Sequence, residues 1–255
     1  MVDDRDVRLD IAIHWRSECG TRSIQQDCIG WSDARQYDER GILAVLSDGM
    51  GGMKNGEVYS DIAVKQMLEH FKKCAPDGDL IVTLLECYAY ARNCARARFP
   101  VPDEPDGGAT VVAVYIRGGM CAFLSVGDSR LYLWRAGALL QLNREQTLGV
   151  LLDENAAMGY IPMEYAKSGL RDTIENNLCE PEIKRCDIPA HPFALAKGDR
   201  LLLMSDGISH TLTDRELTRA LAGAKENFAD AVEAAVRKKG NPKQDNYTVL
   251  EVSIQ

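Results

Sequence analysis

At 255 residues the chain fits one large domain and can bury a substantial core. Its 45% apolar and 27% charged residues are the composition of a soluble globular protein, and a net charge of −8 argues against a nucleic-acid partner. Met1 to Asp6 lack the apolar core of a signal peptide and no apolar run nears the ~20 residues of a membrane span, so the expectation is a cytoplasmic protein with no membrane partner.

In chain order, Val7, Leu9, Ile11, Ile13 and Trp15 alternate with Arg8, Asp10, Ala12 and His14, the period-two pattern of a strand with one buried face. His14 falls on the opposite face and reads as a surface or edge histidine. Cys19-Gly20-Thr21 is a turn, Cys28 to Trp31 a short strand, and the polar stretch 32–40 a hairpin loop. Ile42 to Leu46 reads as a buried strand. Val64, Met67, Leu68 and Phe71 then stand at i, i+3, i+4 and i+7, and Ile81, Leu84, Leu85 and Tyr88 repeat that spacing after the turn Pro76-Asp77-Gly78. Such stripes mark two core-facing helices.

Pro100 to Gly108 is a loop. Strands follow over 110–116, 120–126, 130–135 and about 139–142, with Gly118-Gly119 and Ala136-Gly137 as hairpin turns. From 147 to 178 the periodicity is poor, with Gly159 and Pro162 among mixed signals, and the segment reads as a partly helical, flap-like excursion. Asp199 to Ser205 is a strand, and Thr213 opens a helix with Glu216 in capping-box register. Phe228, Ala231, Val232, Ala235 and Val236 form another helical stripe before a last strand, Tyr247 to Ile254. The order predicts an α+β fold of predominantly antiparallel sheet, a single domain over 1–255, with helices on the outer faces. The eight cysteines include no Cys-x-x-Cys pair and several lie in apolar stretches, so they read as reduced structural thiols.

The chemistry gathers around Ser47-Asp48-Gly49-Met50-Gly51-Gly52, directly after a buried strand. A carboxylate at a strand mouth, followed by glycines that let other groups approach, suits a hard cation such as Mg²⁺ or Mn²⁺. Taken alone it is more often a solvated turn. The pattern returns, however: Leu201 to Met204 runs into Ser205-Asp206-Gly207, and Asp245-Asn246 stands just before the last strand. Two strand-end Asp-Gly pairs and a strand-start Asp predict a shared metal site.

Six stretches together resemble the metal-dependent protein phosphatase family of the protein phosphatase 2C type: Arg22-x-x-Gln25-Gln26-Asp27, Asp48 to Gly52, Gly107-Gly108-Ala109-Thr110, Gly127-Asp128-Ser129-Arg130, Ser205-Asp206-Gly207 and Asp245-Asn246-Tyr247-Thr248. The resemblance spans nearly the whole chain and implies a four-layer αββα sandwich of two antiparallel sheets flanked by helices. It implies a serine/threonine phosphatase in which a water activated at a binuclear Mg²⁺ or Mn²⁺ centre attacks the phosphoester. Asp48, Asp206 and Asp245 would bind the two ions, Asp48 bridging them and the Gly49 carbonyl joining the second. Asp128 with Asp206 would hold a third, weaker ion, as in many bacterial relatives, and Asp27 is a further candidate metal-site residue. Arg22 would grip the substrate phosphate, for which a planar, permanently charged fork is well matched. No cysteine or serine nucleophile is needed.

Two departures stand out. Many members carry Glu where this chain has Gln26, an amide that could still accept a hydrogen bond from water but brings less charge and predicts weaker metal retention. Position 50 is Met rather than the His of animal and plant members, which points to a bacterial-type enzyme. His210 reads as a helix-entry or surface residue rather than a substitute acid. The partner implied is a phosphoprotein made by a serine/threonine kinase, met by a monomeric enzyme. The competing readings are a phosphoprotein-binding pseudophosphatase, which the intact Arg22, Asp48, Asp206 and Asp245 oppose; a calcium-binding structural domain, whose EF-hand spacing is missing; and a phosphatase for a non-protein phosphomonoester.

Overall fold

The computed structural model describes residues 10–50, 55–98, 107–167, 169–180, 185–224 and 227–255. Its elements are β1 (Ile11–Glu18), β2 (Asp27–Trp31), α1 (Tyr37–Arg40), β3 (Ile42–Asp48), α2 (Gly56–Phe71), α3 (Leu80–Arg98), β4 (Val111–Arg117), β5 (Met120–Val126), β6 (Arg130–Arg135), β7 (Ala138–Gln141), α4 (Leu148–Ala157), β8 (Phe193–Ala194), β9 (Arg200–Met204), α5 (Asp206–Ser209), α6 (Asp214–Gly223), α7 (Phe228–Lys239) and β10 (Tyr247–Ile254). Short 3₁₀ turns lie at Ala34–Gln36 and Tyr165–Lys167.

Strand alternation builds the layers. In β3, Ile42, Ala44 and Leu46 point one way, into a core shared with Val112, Val114 and Ile116 of β4 and with Leu201, Leu203, Leu250 and Val252 of the other sheet. Leu43 and Val45 point the other way, onto Tyr59, Val64, Met67 and Phe71 of α2 and Leu84, Cys87 and Tyr88 of α3. A strand buried on both faces reads as a continuous apolar run, which is why 42–46 carries no alternation of its own. On the far side, Leu202, Met204 and Val249 meet Leu217, Leu221, Val232 and Val236 of α6 and α7. Each fully buried Leu or Val of these layers contributes roughly 1.5–3 kcal/mol.

One sheet has the order β1-β10-β9-β6-β7 and the other β2-β3-β4-β5-β8. All of these pairings are antiparallel. The result is an αββα sandwich, with α2 and α3 on one face and α6 and α7 on the other.

Several sequence expectations are adjusted. Val7, Arg8 and Leu9 lie outside the described residues, and the described first strand instead extends to Glu18, because its backbone pairs with β10 up to Tyr247. The stretch 32–40 is not a plain loop: Asp33 caps a 3₁₀ turn that runs into α1, with local side-chain capping supplying the hydrogen bonds a hairpin would have made. The two-residue β8, too short to leave a periodic signal, was not expected. His14 does lie on an edge strand, but it is half-buried, its Nδ1 3.5 Å from the fully buried Glu251 carboxylate. Glu251 also accepts from Arg200 at 2.5 Å and from the Phe228 amide at 2.9 Å, so a charge inside the sheet is held by a cation and by the first amides of α7.

The excursion 147–178 starts with α4, whose N-cap Thr147 accepts from the Val150 amide. Its return leg is tied back by a Thr147–Ile174 bridge and by the Gly149 amide donating to the Arg171 carbonyl at 2.8 Å.

Candidate active site

The motif residues meet at one end of the two sheets. Asp48 is the last residue of β3, and its partner across the ladder is Asp27, the first residue of β2. Asp206 follows β9 after one residue, and Asp245 precedes β10 by one. Asp128 sits in the β5–β6 turn, where the chain crosses from one sheet to the other. Arg22, Asp48, Gly49, Met50, Asp128, Asp206, His210, Asp245 and Asn246 line a cleft of about 280 Å³ with Asp172, Thr173 and Ile174 of the excursion.

The backbone beneath these groups is tightly fixed. The Asp48 amide donates to Thr110 Oγ1 at 3.0 Å and the Thr110 amide returns to the Asp48 carbonyl at 2.8 Å. The Gly49 amide donates to the Gln26 carbonyl, and the Met50 amide to the Gly108 carbonyl. Asn246 binds three backbone groups of 19–26: its Oδ1 accepts from the Gln26 amide, and its Nδ2 donates to the Cys19 and Ile24 carbonyls. Gly207 is required by contact: a methyl group there would lie 1.9 Å from the Asn246 carbonyl oxygen. Ser205 Oγ donates to Asp27 Oδ2 at 2.8 Å and accepts from the Thr248 amide, which ties Asp27 of one sheet to the other.

The electrostatics are those of a surplus of negative charge. Asp48 is pushed well above the usual carboxylate range, by burial first and then by Asp27, Asp206 and Asp128. Burial raises Asp128 to about 8, with Asp206 adding to it, and raises Asp27 to about 6. Asp206 is raised by burial and by Asp245, against an opposing pull from His210. Two of the buried oxygens, Asp27 Oδ1 and Asp128 Oδ1, have no hydrogen-bond partner. A set of crowded carboxylate oxygens with orphaned lone pairs fits a hard divalent cation, which relieves both the repulsion and the unmet acceptors.

A family model for protein phosphatase 2C matches residues 16–245. The chain belongs to the protein phosphatase 2C family. Serine/threonine protein phosphatase PstP of Mycobacterium tuberculosis is 32% identical over 218 residues, 83% of this chain and 40% of that protein. The chain thus spans about 40% of the length of that relative. Serine/threonine phosphatase stp of Listeria monocytogenes is 28% identical over 215 residues, 82% of this chain and 83% of its own length. A crystal structure of the catalytic domain of PstP in complex with two manganese ions superposes with a TM-score of 0.74 at 27% identity, covering 97% of this chain and 99% of that one.

Within this family member, the structure brings together Arg22, Asp48, Gly49, Asp128, Asp206 and Asp245 as the motifs predicted, while Gly51 and Gly52 lie outside the described residues. Asp27 is set behind Asp48 rather than in the cleft wall. Arg22 donates to Asp245 Oδ2 at 2.6 Å. Gln26 points its amide at Glu57 of α2, Nε2 3.3 Å from Oε2, rather than into the cleft. His210, expected as a helix-entry or surface residue, caps the C-terminal end of α5 and lines the cleft, its Nδ1 3.5 Å from Asp206 Oδ2. In the sequence Ser205, Thr110 and Asn246 have no role of their own. Ser205 and Asn246 stand next to an aspartate in the chain, but Thr110 meets Asp48 only across 62 residues, a contact with no local signal.

Proposed function

We propose that this chain is a metal-dependent protein serine/threonine phosphatase. The observation that carries the reading is the convergence of Asp48, Asp128, Asp206 and Asp245, Asp128 with an orphaned buried oxygen, beside the guanidinium of Arg22 in one cleft. The named relatives, serine/threonine phosphatases of PstP and stp type, support the substrate class.

In this reading Asp48, Asp206 and Asp245 would hold two Mn²⁺ or Mg²⁺ ions with the Gly49 carbonyl, Asp128 and Asp206 would hold a third, weaker one, and Asp27 would support Asp48 from behind. When bound, such a pair would lower the pKa of water towards neutrality and set positive charge against the phosphoryl oxygens. Arg22 binds and orients the phosphate through two parallel N–H groups. Thr110 and Asn246 fix the backbone on which Asp48 and Asp245 are mounted, so that the carboxylates need not reorganise during the reaction. The P–O ester bond is exchanged for a bond to the oxygen of water, releasing inorganic phosphate and the serine or threonine hydroxyl.

The substrate is then a phosphoprotein made by a serine/threonine kinase. The same proposal places it as a monomeric signalling enzyme of the bacterial cytoplasm; among the described residues no helix is long and apolar enough to cross a membrane.

The test is hydrolysis of a chromogenic phosphomonoester and a phosphothreonine peptide with and without Mn²⁺. Activity is expected to vanish in chelator, to return with Mn²⁺ or Mg²⁺, and to be lost in Asp206→Asn. Full activity in excess chelator would overturn the reading; turnover of the small ester alone would point to a non-protein substrate.

A further inference from the structure

Far from the carboxylate cleft, where the C-terminal end of α2 packs on α3, His70, Cys74 and Glu86 bring a nitrogen, a sulfur and a carboxylate oxygen within 4.8 Å of one another. Among the described residues this is the set of three potential ligands that converges to that distance. We propose that it is a second metal site, for a borderline divalent cation of the Zn²⁺ kind, held by His70, Cys74 and Glu86 with water completing a tetrahedron.

The local fold builds the site from two matched helical turns. His70 and Cys74 are four residues apart, and the Cys74 amide donates to the His70 and Phe71 carbonyls at 3.2 Å, so the helical path continues past α2 and keeps both side chains on one face. On α3, Glu86 and Tyr90 are likewise four apart. The Tyr90 ring stacks on the His70 imidazole with centroids 4.7 Å apart, which limits the rotation of that imidazole. Cys74 Sγ lies 3.4 Å from the His70 carbonyl oxygen, and Cys74 and His70 are both half-buried. Glu86 is exposed, and its long side chain can adjust from within 4.8 Å to the roughly 3.5 Å between ligands of a tetrahedral zinc ion.

The donor set chooses the ion. A thiolate and an imidazole select against Mg²⁺ and favour the later transition metals, whereas the cleft's oxygens favour Mg²⁺ and Mn²⁺. One thiolate and one carboxylate balance the two charges of the cation. The carbonyl end of α2 adds a partial negative charge. The ion would clip the end of α2 to α3 on the outer face of the sandwich, a stabilising link independent of catalysis.

Co²⁺ provides the test, because a thiolate ligand gives a sulfur-to-cobalt charge-transfer band in the near ultraviolet that oxygen ligands do not. Titration of the intact, metal-stripped chain with Co²⁺ is expected to raise that band to a saturating amplitude of one thiolate-bound cobalt per chain, and Zn²⁺ should bleach it. Cys74→Ser should abolish the band, and Glu86→Gln, at an exposed position that the fold tolerates, should weaken cobalt binding by about tenfold or more. Asp206→Asn should leave it unchanged, which separates this site from the cleft. No band in the wild-type chain, a band that survives Cys74→Ser, or an affinity indifferent to Glu86→Gln would each overturn the proposal.

Discussion

The Arg22 guanidinium donates to Asp245 Oδ2 at 2.6 Å, so the group proposed to bind phosphate and a carboxylate proposed to hold a cation form one salt-bridged unit. The pair is open to solvent, with 47% of the Arg22 and 33% of the Asp245 side chain exposed. Arg22→Ala should therefore weaken phosphate binding near the low end of the range for a charged partner, by about 2 kcal/mol. Inhibition by inorganic phosphate would measure it. Mn²⁺ occupancy by calorimetry should be retained, because Asp245 keeps its oxygens. Loss of the ions in Arg22→Ala would assign Arg22 a different role.

Gly207 makes a second prediction. A methyl group there would meet the Asn246 carbonyl at 1.9 Å and displace the backbone beside Asp245. Since the Asn246 side chain also anchors 19–26, Gly207→Ala should move Asp206, Asp245 and Arg22 together. Activity should drop about 100-fold, as a displacement near 1 Å at a catalytic group can cost, and the thermal midpoint should fall. A variant with wild-type turnover would show that α5 can shift without the site.

Gln26 faces Glu57 at 3.3 Å, which gives the departure from the family's glutamate a local explanation. Gln26→Glu would set two carboxylates against each other at that distance. The variant should be less stable than wild type in chelator, recover in part with Mn²⁺, and recover in chelator when combined with Glu57→Gln. Thermal unfolding of the three proteins, with and without metal, decides it. Equal stability of single and double variants would remove Glu57 from the argument.

Much of this was legible in the sequence because strand ends and chemistry coincide. Asp48 and Asp206 announced themselves by following apolar runs, and Glu216 by its capping spacing, which the capping box with Thr213 realises. What stayed hidden depends on contacts between distant segments. Glu251 lies in an apolar strand, and only the arrival of Arg200 and the α7 amides explains a carboxylate there. The direction of Gln26 depends on Glu57, 31 residues away. The helical turns at 34–40 replace a loop because Asp33 bonds to the Arg35 amide, a choice that composition does not reveal.

Asp199 carries a pH prediction. Burial would raise its carboxyl, but the Arg135 guanidinium, bonded at 2.9 and 2.5 Å, and the Ala196 amide hold it below the ordinary range. A carboxylate lowered in the folded state adds stability above its unfolded pKa of ~3.9, and that stability is lost as pH falls through the folded value. Asp199→Asn should therefore cost about 2 kcal/mol near pH 7, and the deficit should shrink below about pH 4. Urea unfolding of both proteins at the two pH values reads this directly. A deficit independent of pH would mean that packing, not charge, is what Asp199 supplies.

The excursion 147–178 bears on selectivity. Its return leg puts Asp172, Thr173 and Ile174 in the cleft wall, while Met158, Tyr160, Met163, Tyr165 and Leu170 are exposed. Arg171 donates to the Asp153 carboxylate, which ties the return leg to α4, and also to the Ala166 carbonyl. Large apolar side chains exposed on a segment whose return leg lines the proposed catalytic cleft suit contact with the polypeptide around a phosphorylated residue, while a small ester reaches only the floor. We therefore assign the tip a role in protein-substrate selection. Replacing 159–164 with a Gly-Ser linker of equal length keeps α4, the Arg171–Ala166 bond and the wall residues. Turnover of a small aryl phosphate should be unchanged, and kcat/KM on phosphothreonine peptides and phosphoproteins should fall. Equal effects on small and large substrates, in a variant that keeps its fold and its Mn²⁺ affinity, would reduce the excursion to a surface segment without a share in recognition.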